Sequence, residues 1–375
     1  MLWMALGSLA WAQFPAPPEV AARAYVLMDV GAAQVLAEQR PDEPVEPASL
    51  TKLMTAYVVF DALKSQRISL QKALPVSTRA WKMPGSRMFI DPQMSVPVED
   101  LIKGMIVQSG NDATVALAEG LAGSVERFVE LMNQQAQALG MTATTYKNPE
   151  GLPEPGHTTT ARDLATLSMR LMRDFPDRLA YFALKKYRYE GTPAANDTNR
   201  NLLLFRDPTV DGLQTGFAQS SGYGMVATAQ REVPALKSRR LLAIVLGATS
   251  ENARAQESQK LLNWGYTAFE AVKLFEANQP VMRVQVWKGR APELRLGRPE
   301  PLVVAVPTGQ AARLRSEVSR PDPLVAPFTK GQAVGRMKIY VGEYLLAEKP
   351  LLALDTVTES GVIGRAWDAM RLWIK

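Results

Sequence analysis

The chain of 375 residues contains no cysteine and only one histidine, His157. Without cysteine the chain can form no disulfide bond, no thiolate nucleophile and no cysteine-ligated metal site. A single histidine excludes a multi-histidine zinc site, and it makes any Ser-His-Asp triad depend on His157. No apolar run reaches the roughly 18–20 residues that a membrane-spanning helix needs. We therefore expect no metal or other cofactor and no multi-span membrane protein.

Hydrophobic residues make up 47% of the chain and charged residues 21%, which is typical of a globular protein with an ample core. The net charge of +6 is unevenly placed, since residues 277–354 hold twelve Lys and Arg against six Asp and Glu. This excess predicts a separate second domain that favours an anionic surface, or else simply arginine-rich solvated strands. No dense basic run is interleaved with aromatic residues, so we expect no nucleic-acid partner.

The two ends of the chain carry different signals. Residues 1–12 form a short apolar run that ends in Ala10-Trp11-Ala12, the pattern of a signal-peptide cleavage site. A buried N-terminal strand or helix is the alternative. At the other end, 3.6-residue spacing places several apolar residues on one side of a helix and charged residues on the other. The apolar set is Val362, Ile363, Ala366, Trp367, Met370, Trp373 and Ile374, and the charged set is Arg365, Asp368, Arg371 and Lys375. Such a helix suits a membrane interface, or it docks on its own protein.

The apolar pattern between the ends changes near residue 275. Before it, helical and extended segments alternate, which predicts an α/β domain over residues 13–275. After it, short strands broken by glycine and proline predict an all-β domain over residues 276–354, followed by the terminal helix in 355–375. The predicted segments near the site are a helix over 49–63, a helix over 98–121, a Pro/Gly loop over 148–157, a helix from Thr160 with Thr160 and Asp163 as a capping box, and strands over 210–217, 222–229 and 241–248.

The first motif that can carry chemistry is Ser49-Leu50-Thr51-Lys52. If Ser49 opens a helix, Lys52 lies one turn further on the same face. A serine hydroxyl becomes a nucleophile beside a base, and a lysine amine can be that base if its surroundings lower its pKa. The start of the helix would also offer backbone N–H groups to an oxyanion. The ordinary alternative for Ser49 is an N-cap.

Two further motifs are weaker when taken alone. Ser109-Gly110-Asn111 follows an apolar helix, where the serine could relay a proton and the asparagine could hold a carbonyl, or where the three residues only cap a helix. The segment Asp211–Gly216 lies on a predicted strand. In it Thr215 offers a hydroxyl to a carboxylate, and Gly216 lets a substrate backbone approach the strand edge. A strand with one hydroxyl and two glycines is the alternative interpretation.

Taken in this order, the three motifs resemble those of the penicillin-binding serine enzymes, S-x-x-K, S-D-N and K-T-G. More specifically, the chain resembles the low-molecular-mass penicillin-binding proteins, the serine-type D-alanyl-D-alanine carboxypeptidases of the peptidase S11 family. The resemblance covers residues 24–275 and rests on PASLTK at 47–52, VEDLIKGMIVQSGNDA at 98–113, the segment 151–165, NRN at 199–201 and VDGLQTG at 210–216. It implies an α/β (α+β) catalytic domain of the β-lactamase/transpeptidase-like fold, a smaller all-β domain and a C-terminal amphipathic helix.

The resemblance implies a role for each matching residue. Ser49 would be the acylated nucleophile, Lys52 its general base and Ser109 the proton relay. The implied substrate-binding residues are Asn111, Gln214, Thr215, Gly216, Phe217 and Arg240. Among these, Asn111 would orient substrate and Lys52, Thr215 would meet the terminal carboxylate with Arg240 as a weaker candidate, and the backbone N–H groups of Ser49 and Phe217 would form the oxyanion hole.

The resemblance also implies the partners of the protein. The substrate would be the D-Ala–D-Ala end of a peptidoglycan stem peptide, and β-lactams would acylate Ser49 because they mimic that dipeptide. The protein would be exported to the periplasm and would touch the inner-membrane surface through the C-terminal helix, with no cofactor and no nucleic acid.

Two positions depart from the family pattern. The lysine of K-T-G is Gln214 here, and the histidine that follows is Phe217. The role implied for Phe217 uses its backbone, so that change is tolerable. Gln214 keeps a donor but loses a charge, and charge-assisted hydrogen bonds contribute about 1.5–3 kcal/mol against about 1 kcal/mol for neutral ones. We expect acylation to be weakened about ten- to a hundredfold, with Arg240 or Arg200 as candidates to replace the charge.

Two other functions remain open at this point. A catalytically impaired relative that binds peptidoglycan or acts as a scaffold is favoured by Gln214. A β-lactamase would need a deacylating carboxylate, for which Glu150 and Glu154 lie in a suitable loop, although both are more simply interpreted as exposed loop charges. For His157, a structural role that fixes the loop is favoured over a role as catalytic base.

Overall fold

The structure, a computed structural model, describes residues 14–233 and 236–373. The predicted signal segment over 1–12 and the last residue of the predicted apolar helix side, Ile374, lie outside the described residues. The chain divides into two compact units. One is formed by residues 17–232 and 238–266, and the other mainly by residues from 267 onward.

The first unit is an antiparallel sheet covered by helices. Its elements in chain order are β1 (Ala24–Asp29), β2 (Gln34–Gln39), α1 (Lys52–Lys64), β3 (Ala73–Pro75), α2 (Thr78–Trp81), β4 (Ser95–Pro97), α3 (Val98–Val107), α4 (Asn111–Ala122), α5 (Val125–Leu139), α6 (Ala161–Asp174), α7 (Leu203–Arg206), β5 (Val210–Ala218), β6 (Gly222–Val233), β7 (Leu236–Ala248) and α8 (Glu251–Ala268). The five long strands lie in the order β2-β1-β7-β6-β5, so β5 is an edge strand. The edge strand carries the third motif and contacts the segment that carries Ser49.

Helix α1 is buried on nearly every side, and its apolar residues join the main hydrophobic core. The helix therefore sits inside the unit rather than on its surface, which holds its first turn in a fixed place. The predicted helix start at Ser49 differs in detail from the structure. Ala48–Thr51 is a 3₁₀ turn, and α-helical geometry begins only at Lys52.

The predicted helix over 98–121 is wrong in one respect, because the structure breaks it into α3 and α4. At the break Ser109 adopts a left-handed φ of 57° and Gly110 is extended. Since apolar periodicity continues on both sides, the sequence pattern does not reveal this turn. The break places the second motif at a corner between two buried helices.

Thr160 caps α6 as predicted, since Asp163 N donates to Thr160 Oγ1 at 3.1 Å. In a capping box the Asp163 carboxylate would in turn accept from the backbone N–H of Thr160, and this contact does not form. The Asp163 carboxylate instead accepts from Ala143 N and Thr144 Oγ1, at 3.0 and 2.7 Å. Asp163 therefore ties α6 to the segment before the 148–157 loop.

The second unit is built from short strands. Its elements are β8 (Phe269–Phe275), β9 (Pro280–Trp287), β10 (Glu293–Gly297), β11 (Leu302–Pro307), β12 (Leu314–Ser319), β13 (Leu324–Val325), β14 (Ala333–Val341), β15 (Tyr344–Ala353) and α9 (Val362–Trp373). Six strands form one sheet in the order β12-β14-β15-β10-β9-β13, and β8 pairs with β11. Because β8 pairs within this unit, the unit begins at Thr267, earlier than the predicted start at residue 276.

Helix α9 rests on the second unit by its polar side. Lys288 N donates to Asp368 Oδ2 at 2.7 Å, and the Arg371 guanidinium lies 5.6 Å from the ring centroid of Trp287. The apolar side faces solvent, with Ile363 and Trp373 each 88% exposed. Within the described residues, no helix has both the length and the apolar character required to cross a membrane.

Candidate active site

Ser49 and Lys52 stand side by side at the start of α1. Lys52 Nζ lies 3.1 Å from Ser49 Oγ. The N-cap positions of the 3₁₀ turn and of α1 are Pro47 and Thr51, so Ser49 does not occupy the N-cap position. Ser49 is only half-buried, whereas Lys52 is 1% exposed. The hydroxyl can therefore meet a substrate, and the amine behind it is shielded from water.

Two carbonyl oxygens fix the direction of the Lys52 amine. Nζ donates to Asn111 Oδ1 at 2.8 Å and to Glu150 O at 2.6 Å. A neutral amine has two hydrogens, so these two acceptors use both and leave the lone pair directed at Ser49 Oγ. This arrangement suits proton abstraction from the hydroxyl.

Burial lowers the pKa of Lys52 from 10.5 to about 7. The negative charges of Glu150 and Asp112 act in the opposite direction, since each favours the protonated amine. A pKa near neutrality makes a sizeable fraction of the amine available as a base at physiological pH.

The break between α3 and α4 places Ser109 and Asn111 at the wall of the cavity that Ser49 also lines. Asn111 bonds Lys52 through its oxygen, and its Nδ2 donates to Pro84 O at 2.7 Å. Asp112, fully buried, accepts from the backbone N–H groups of Met88 and Phe89 at 2.9 and 2.8 Å. The start of α4 thus holds both Lys52 and the loop before β4.

On edge strand β5, Gln214, Thr215 and Gly216 are buried and Phe217 is exposed. A Cβ on Gly216 would meet Pro47 O at 3.0 Å and Leu50 N at 3.3 Å. The missing side chain is therefore needed for close packing of β5 on the Ser49 turn. That is a packing reason beside the predicted approach of a substrate backbone, which stays a prediction.

Gln214 stands where the family pattern has a lysine, and two polar groups near it have no partners among the described residues. Gln214 Oε1 accepts from Thr215 N at 2.9 Å, but within the described chain its buried Nε2 makes no hydrogen bond. The buried hydroxyl of Ser109 likewise has no partner there. A buried polar group without a partner costs about 1–3 kcal/mol, which marks this part of the site as a place for a ligand group or water.

The geometry corrects the prediction for Arg240. Its two terminal nitrogens donate to the Asp211 carboxylate at 2.6 and 2.7 Å, and Nη1 also contacts Thr228 Oγ1 at 3.0 Å. Its charge is thus neutralised beside the sheet, and Arg240 is not among the described residues that line the reactive cavity. The sequence alone does not show this pairing, because Asp211 and Arg240 lie on different strands, 29 residues apart.

Arg254 is the cation that sequence reasoning missed. This residue of α8 is 3% exposed, donates to Gly216 O at 3.0 Å and has a buried Nε without a partner in the described structure. Arg200 joins it at the cavity wall, where its Nη2 donates to Asn196 Oδ1 at 3.1 Å. The only signal in the sequence is an arginine inside a polar helix, which is too common to single out.

Glu150 is also placed differently from its prediction as an exposed loop charge. Glu150 is 5% exposed and burial raises the pKa of its carboxyl, whereas Glu154 is exposed as expected. The loop that carries it is forced against the Ser49 turn, since a Cβ on Gly151 would lie 1.8 Å from Ala48 O. This contact explains why the Glu150 carbonyl reaches Lys52.

His157 contacts the turn that carries Ser49. Its Nε2 is 2.9 Å from Thr51 Oγ1, and burial lowers its pKa to about 4, so the ring is neutral at physiological pH. His157 is not among the described residues lining the reactive cavity. Its contact with Thr51 fits the structural role that the sequence favoured, which is to join the 148–157 loop to the 3₁₀ turn before α1.

These groups line one open cavity of about 300 Å³. The lining residues that bear on the chemistry are Ser49, Ser109, Asn111, Glu150, Thr215, Gly216, Phe217, Arg200 and Arg254. The cavity therefore combines a hydroxyl beside an amine, a hydroxyl on an edge strand and two guanidinium groups. Glu251 also lines it, and its Oε1 lies 3.7 Å from Arg254 Nη2. Such a set can hold an acyl group at Ser49 and a carboxylate near the arginines.

Comparisons with known proteins agree with this geometry. The family model of peptidase S11, described as D-alanyl-D-alanine carboxypeptidase, matches residues 12–250. The model of the penicillin-binding protein 5 C-terminal domain matches residues 269–359. The D-alanyl-D-alanine carboxypeptidase DacC of Escherichia coli K12 is 40% identical over 359 residues, which cover 94% of this chain and 88% of that protein.

Solved structures give the same picture. Penicillin binding protein 5 from Haemophilus influenzae superposes with a TM-score of 0.86 at 34% identity, and the match covers 92% of this chain and 100% of that chain. Penicillin-binding protein D2 from Listeria monocytogenes, in its ampicillin-bound form, superposes with a TM-score of 0.60 at 29% identity, covering 67% of this chain and 100% of that chain.

Proposed function

The chain belongs to the peptidase S11 family of serine-type D-alanyl-D-alanine carboxypeptidases, and from this premise we propose that it removes the terminal D-Ala of peptidoglycan stem pentapeptides through an acyl-enzyme on Ser49. The observation that carries the proposal is the 3.1 Å approach of Lys52 Nζ to Ser49 Oγ, with both amine hydrogens held by Asn111 and Glu150. β-Lactams would acylate the same hydroxyl.

In the acylation step, Ser49 Oγ attacks the carbonyl carbon between the two D-Ala residues while its proton passes to Lys52 Nζ. The negative oxygen of the tetrahedral intermediate is received by the backbone N–H groups of Ser49 and Phe217. The C–N bond then breaks, and the leaving amine takes a proton from Lys52 through the Ser109 hydroxyl. The products are free D-Ala and an ester on Ser49.

In the deacylation step, water attacks the ester carbonyl and gives a proton to the neutral Lys52 amine. The ester C–O bond breaks, and the proton returns to Ser49 Oγ. The shortened stem peptide leaves with its new carboxylate, and the enzyme is restored. Protons and charge balance without any cofactor.

The terminal carboxylate of the substrate is assigned to Thr215 and the two arginines of the cavity. Thr215 supplies a hydroxyl donor, and Arg254 has a buried, unpartnered Nε among the described residues. A guanidinium group is a strong carboxylate donor in a shielded place. Arg200 adds a second positive charge at the exposed side of the cavity.

Gln214 is expected to weaken acylation rather than abolish it. Lys52 is already held by Asn111 and Glu150, so its orientation does not depend on residue 214. What is lost is a positive charge near the amine and near the Ser109 hydroxyl. Because the Ser109 hydroxyl has no hydrogen-bond partner among the described residues, we expect it to pass a proton to the leaving amine more slowly.

Release of D-Ala from a pentapeptide by the purified protein tests the proposal, with Ser49→Ala as the control. We expect release by the wild type and none by the variant, together with fluorescent penicillin bound at Ser49. Absence of both in the wild type would instead support a catalytically impaired relative that binds peptidoglycan. Rapid turnover of penicillin, with no lasting adduct, would favour a β-lactamase and would point to Glu150.

Export to the periplasm and attachment to the inner membrane belong to the same proposal. The Ala10-Trp11-Ala12 pattern supports export, and the outward-facing apolar side of α9 supports a helix that lies in the membrane interface. Arg371 and the tryptophans at 367 and 373 are residue types that favour the headgroup region.

A further inference from the structure

We infer that Asn196 is a positioning residue, whose side-chain amide holds the Arg200 guanidinium at the wall of the reactive cavity for the terminal carboxylate of the substrate. The inference rests on the proposed function, because it assumes that this carboxylate binds beside the two arginines. It gives Asn196 a part in recognition of the substrate and none in the acyl-transfer steps.

The backbone at Arg200 is fixed by its two neighbours. Asn199 is buried, and its Nδ2 donates to Leu184 O at 2.9 Å. Asn201 is buried as well, and its Oδ1 accepts from Leu203 N at 3.0 Å. These contacts place the Cα of Arg200 but leave its exposed side chain free to adopt many rotamers.

Electrostatic repulsion acts against the position that the Arg200 side chain takes. Arg200 lines the same cavity as Arg254, and both guanidinium groups are positively charged. Burial lowers the pKa of Arg254, and the charge of Arg200 acts in the same direction, so the two groups are close enough to interact. Glu251, 3.7 Å from Arg254, offsets part of this repulsion. An exposed arginine beside a buried cation is expected to turn into solvent unless a contact holds it.

Asn196 supplies that contact. Arg200 Nη2 donates to Asn196 Oδ1 at 3.1 Å, which is the one hydrogen bond of the Arg200 side chain in the part of the chain that the structure describes. The other end of the amide is fixed too, because Asn196 Nδ2 donates to Arg87 O at 2.6 Å. With its amino group committed to a carbonyl, the amide presents its oxygen to the guanidinium.

The loop over 84–90, which carries this carbonyl, is held on both sides. Asn111 N donates to Ser86 O at 2.7 Å from the start of α4. Thr192 Oγ1 donates to Met88 O at 2.6 Å from the segment that leads to the amide. The amide is therefore anchored to a supported part of the cavity wall, and it can hold a long, exposed side chain in place.

A guanidinium that is already in place binds a carboxylate without the cost of ordering its own side chain. Removal of the amide should therefore weaken binding of the substrate carboxylate. The attack on the peptide carbonyl at Ser49 should not change, because the contacts of Lys52 do not involve Asn196 or Arg200.

The test measures kcat and KM for release of D-Ala from a pentapeptide by the full chain. We expect Asn196→Ala to raise KM about three- to tenfold with little change in kcat, which indicates lost binding shared by substrate and transition state. Arg200→Ala should raise KM at least as much. The double variant should not exceed Arg200→Ala, because a residue that acts through Arg200 then has nothing left to position.

Two comparisons separate positioning from general damage. Asn252→Ala removes the same kind of contact elsewhere, since Arg206 Nη2 donates to Asn252 Oδ1 at 2.6 Å, and it should leave KM unchanged. The same pentapeptide with its terminal carboxylate replaced by a carboxamide serves as a competing ligand. Its inhibition constant should change far less than KM in Asn196→Ala, because it lacks the charge that Arg200 meets.

The inference is overturned if KM is unchanged in Asn196→Ala or if kcat alone falls. It is also overturned if the effects of Asn196→Ala and Arg200→Ala multiply in the double variant, or if the carboxamide loses as much affinity as the acid. If thermal unfolding shows that Asn196→Ala is not folded, Asn196→Ser takes its place with the same expectation, because one hydroxyl cannot join both partners. A wild type that releases no D-Ala defeats the proposed function itself, and that result is distinct from release with an unchanged KM.

Discussion

At the scale of single residues, Lys52 shows how the contacts of a buried amine limit its partners in proton transfer. Nζ has three neighbours within hydrogen-bond distance, two of which are carbonyl oxygens that cannot give up a proton. Only the Ser49 hydroxyl can exchange a proton with it directly. The site therefore directs the chemistry by limiting which partner of the lysine is able to react.

The pH dependence of acylation follows from the state of Lys52. The reaction needs the neutral amine, and burial lowers the pKa of Lys52 to about 7. We expect the second-order rate constant for penicillin acylation to rise with pH through about 7 and then to level off. Stopped-flow measurements between pH 5 and 9 check this, and a rate constant that does not change over that range would remove Lys52 as the base.

Glu150 should set where this rise occurs. Its negative charge favours the protonated amine, so Glu150→Gln should move the rise to lower pH. Asp112 and Arg79 face the same region and remain in the variant. Glu130→Gln is the control, since it removes an exposed carboxylate on α5 that pairs with Arg127 and should leave the rise where it was. An equal shift in both variants would show that the net charge of the protein is responsible.

Gln214→Lys should restore the charge that the site lacks. We expect acylation by penicillin to become about ten- to a hundredfold faster, in line with the difference between charged and neutral hydrogen bonds. Gln214→Met has a similar length without donor or charge and should be slower than the wild type. A Gln214→Lys variant that is no faster would mean that Arg200 and Arg254 already supply the field that acylation needs.

At the scale of elements, the loop over 148–157 is as important for the site as the helix that carries Ser49. Asn148 Oδ1 accepts from Gly151 N at 2.7 Å, and this turn presents the Glu150 carbonyl to Lys52. Gly151 has a φ of 89° and leaves no room for a Cβ beside Ala48.

Gly151→Ala should therefore disrupt the site. A Cβ in a left-handed conformation costs about 1–2 kcal/mol by itself, and the contact with the Ala48 carbonyl must be relieved by moving backbone. We expect a lower melting temperature and loss of most penicillin labelling. Gly156→Ala is the matched control, with a φ of 81° in the same loop and only the flexible Lys147 side chain nearby. It should lose stability but keep labelling, and equal loss of labelling in both would refute the role given to the Ala48 contact.

Strand and helix positions were largely predictable, since alternation and 3.6-residue spacing reflect burial on one face. Strand β5 and the cap at Thr160 follow the prediction closely, whereas β7 begins at Leu236, five residues before its predicted start. The apolar pattern did not show the break at Ser109, because a left-handed turn between two buried helices leaves that pattern unchanged, although the Ser109-Gly110-Asn111 motif offered a helix cap there. The site motifs were visible as short sequence patterns, but Arg254 was not, since only packing brings α8 beside Gly216.

At the scale of the whole molecule, the two units differ in what the sequence reveals of them. The all-β texture predicted the second unit, but β8 was assigned to the first because its apolar residues continue without a break from α8. Its pairing with β11 places β8 in the second unit. Local periodicity does not predict which distant strands pair. Some basic residues of the second unit are held in ion pairs, such as Arg295 with Asp355 and Arg336 with Glu348, but twelve Lys and Arg against six Asp and Glu over 277–354 still leave an excess of positive charge.

The proposed membrane attachment through α9 gives a prediction at this scale. Ile363→Gln with Trp367→Gln removes two exposed apolar residues from the helix. We expect binding to vesicles that contain anionic lipid to fall at least tenfold in a sedimentation assay, while penicillin labelling stays the same. Val318→Gln with Val325→Gln is the matched control, because it removes two exposed apolar residues of the second unit outside α9. Equal loss of binding in both double variants would contradict a specific role for α9.

The polar contacts of α9 with Trp287 and Lys288 have a practical consequence for anyone who handles the protein. They keep the apolar side of α9 facing outward in aqueous buffer, where no lipid is present to cover it. Preparations should therefore adhere to phenyl resins and form larger species as they are concentrated. A mild detergent above its micelle threshold should return them to single particles in light scattering.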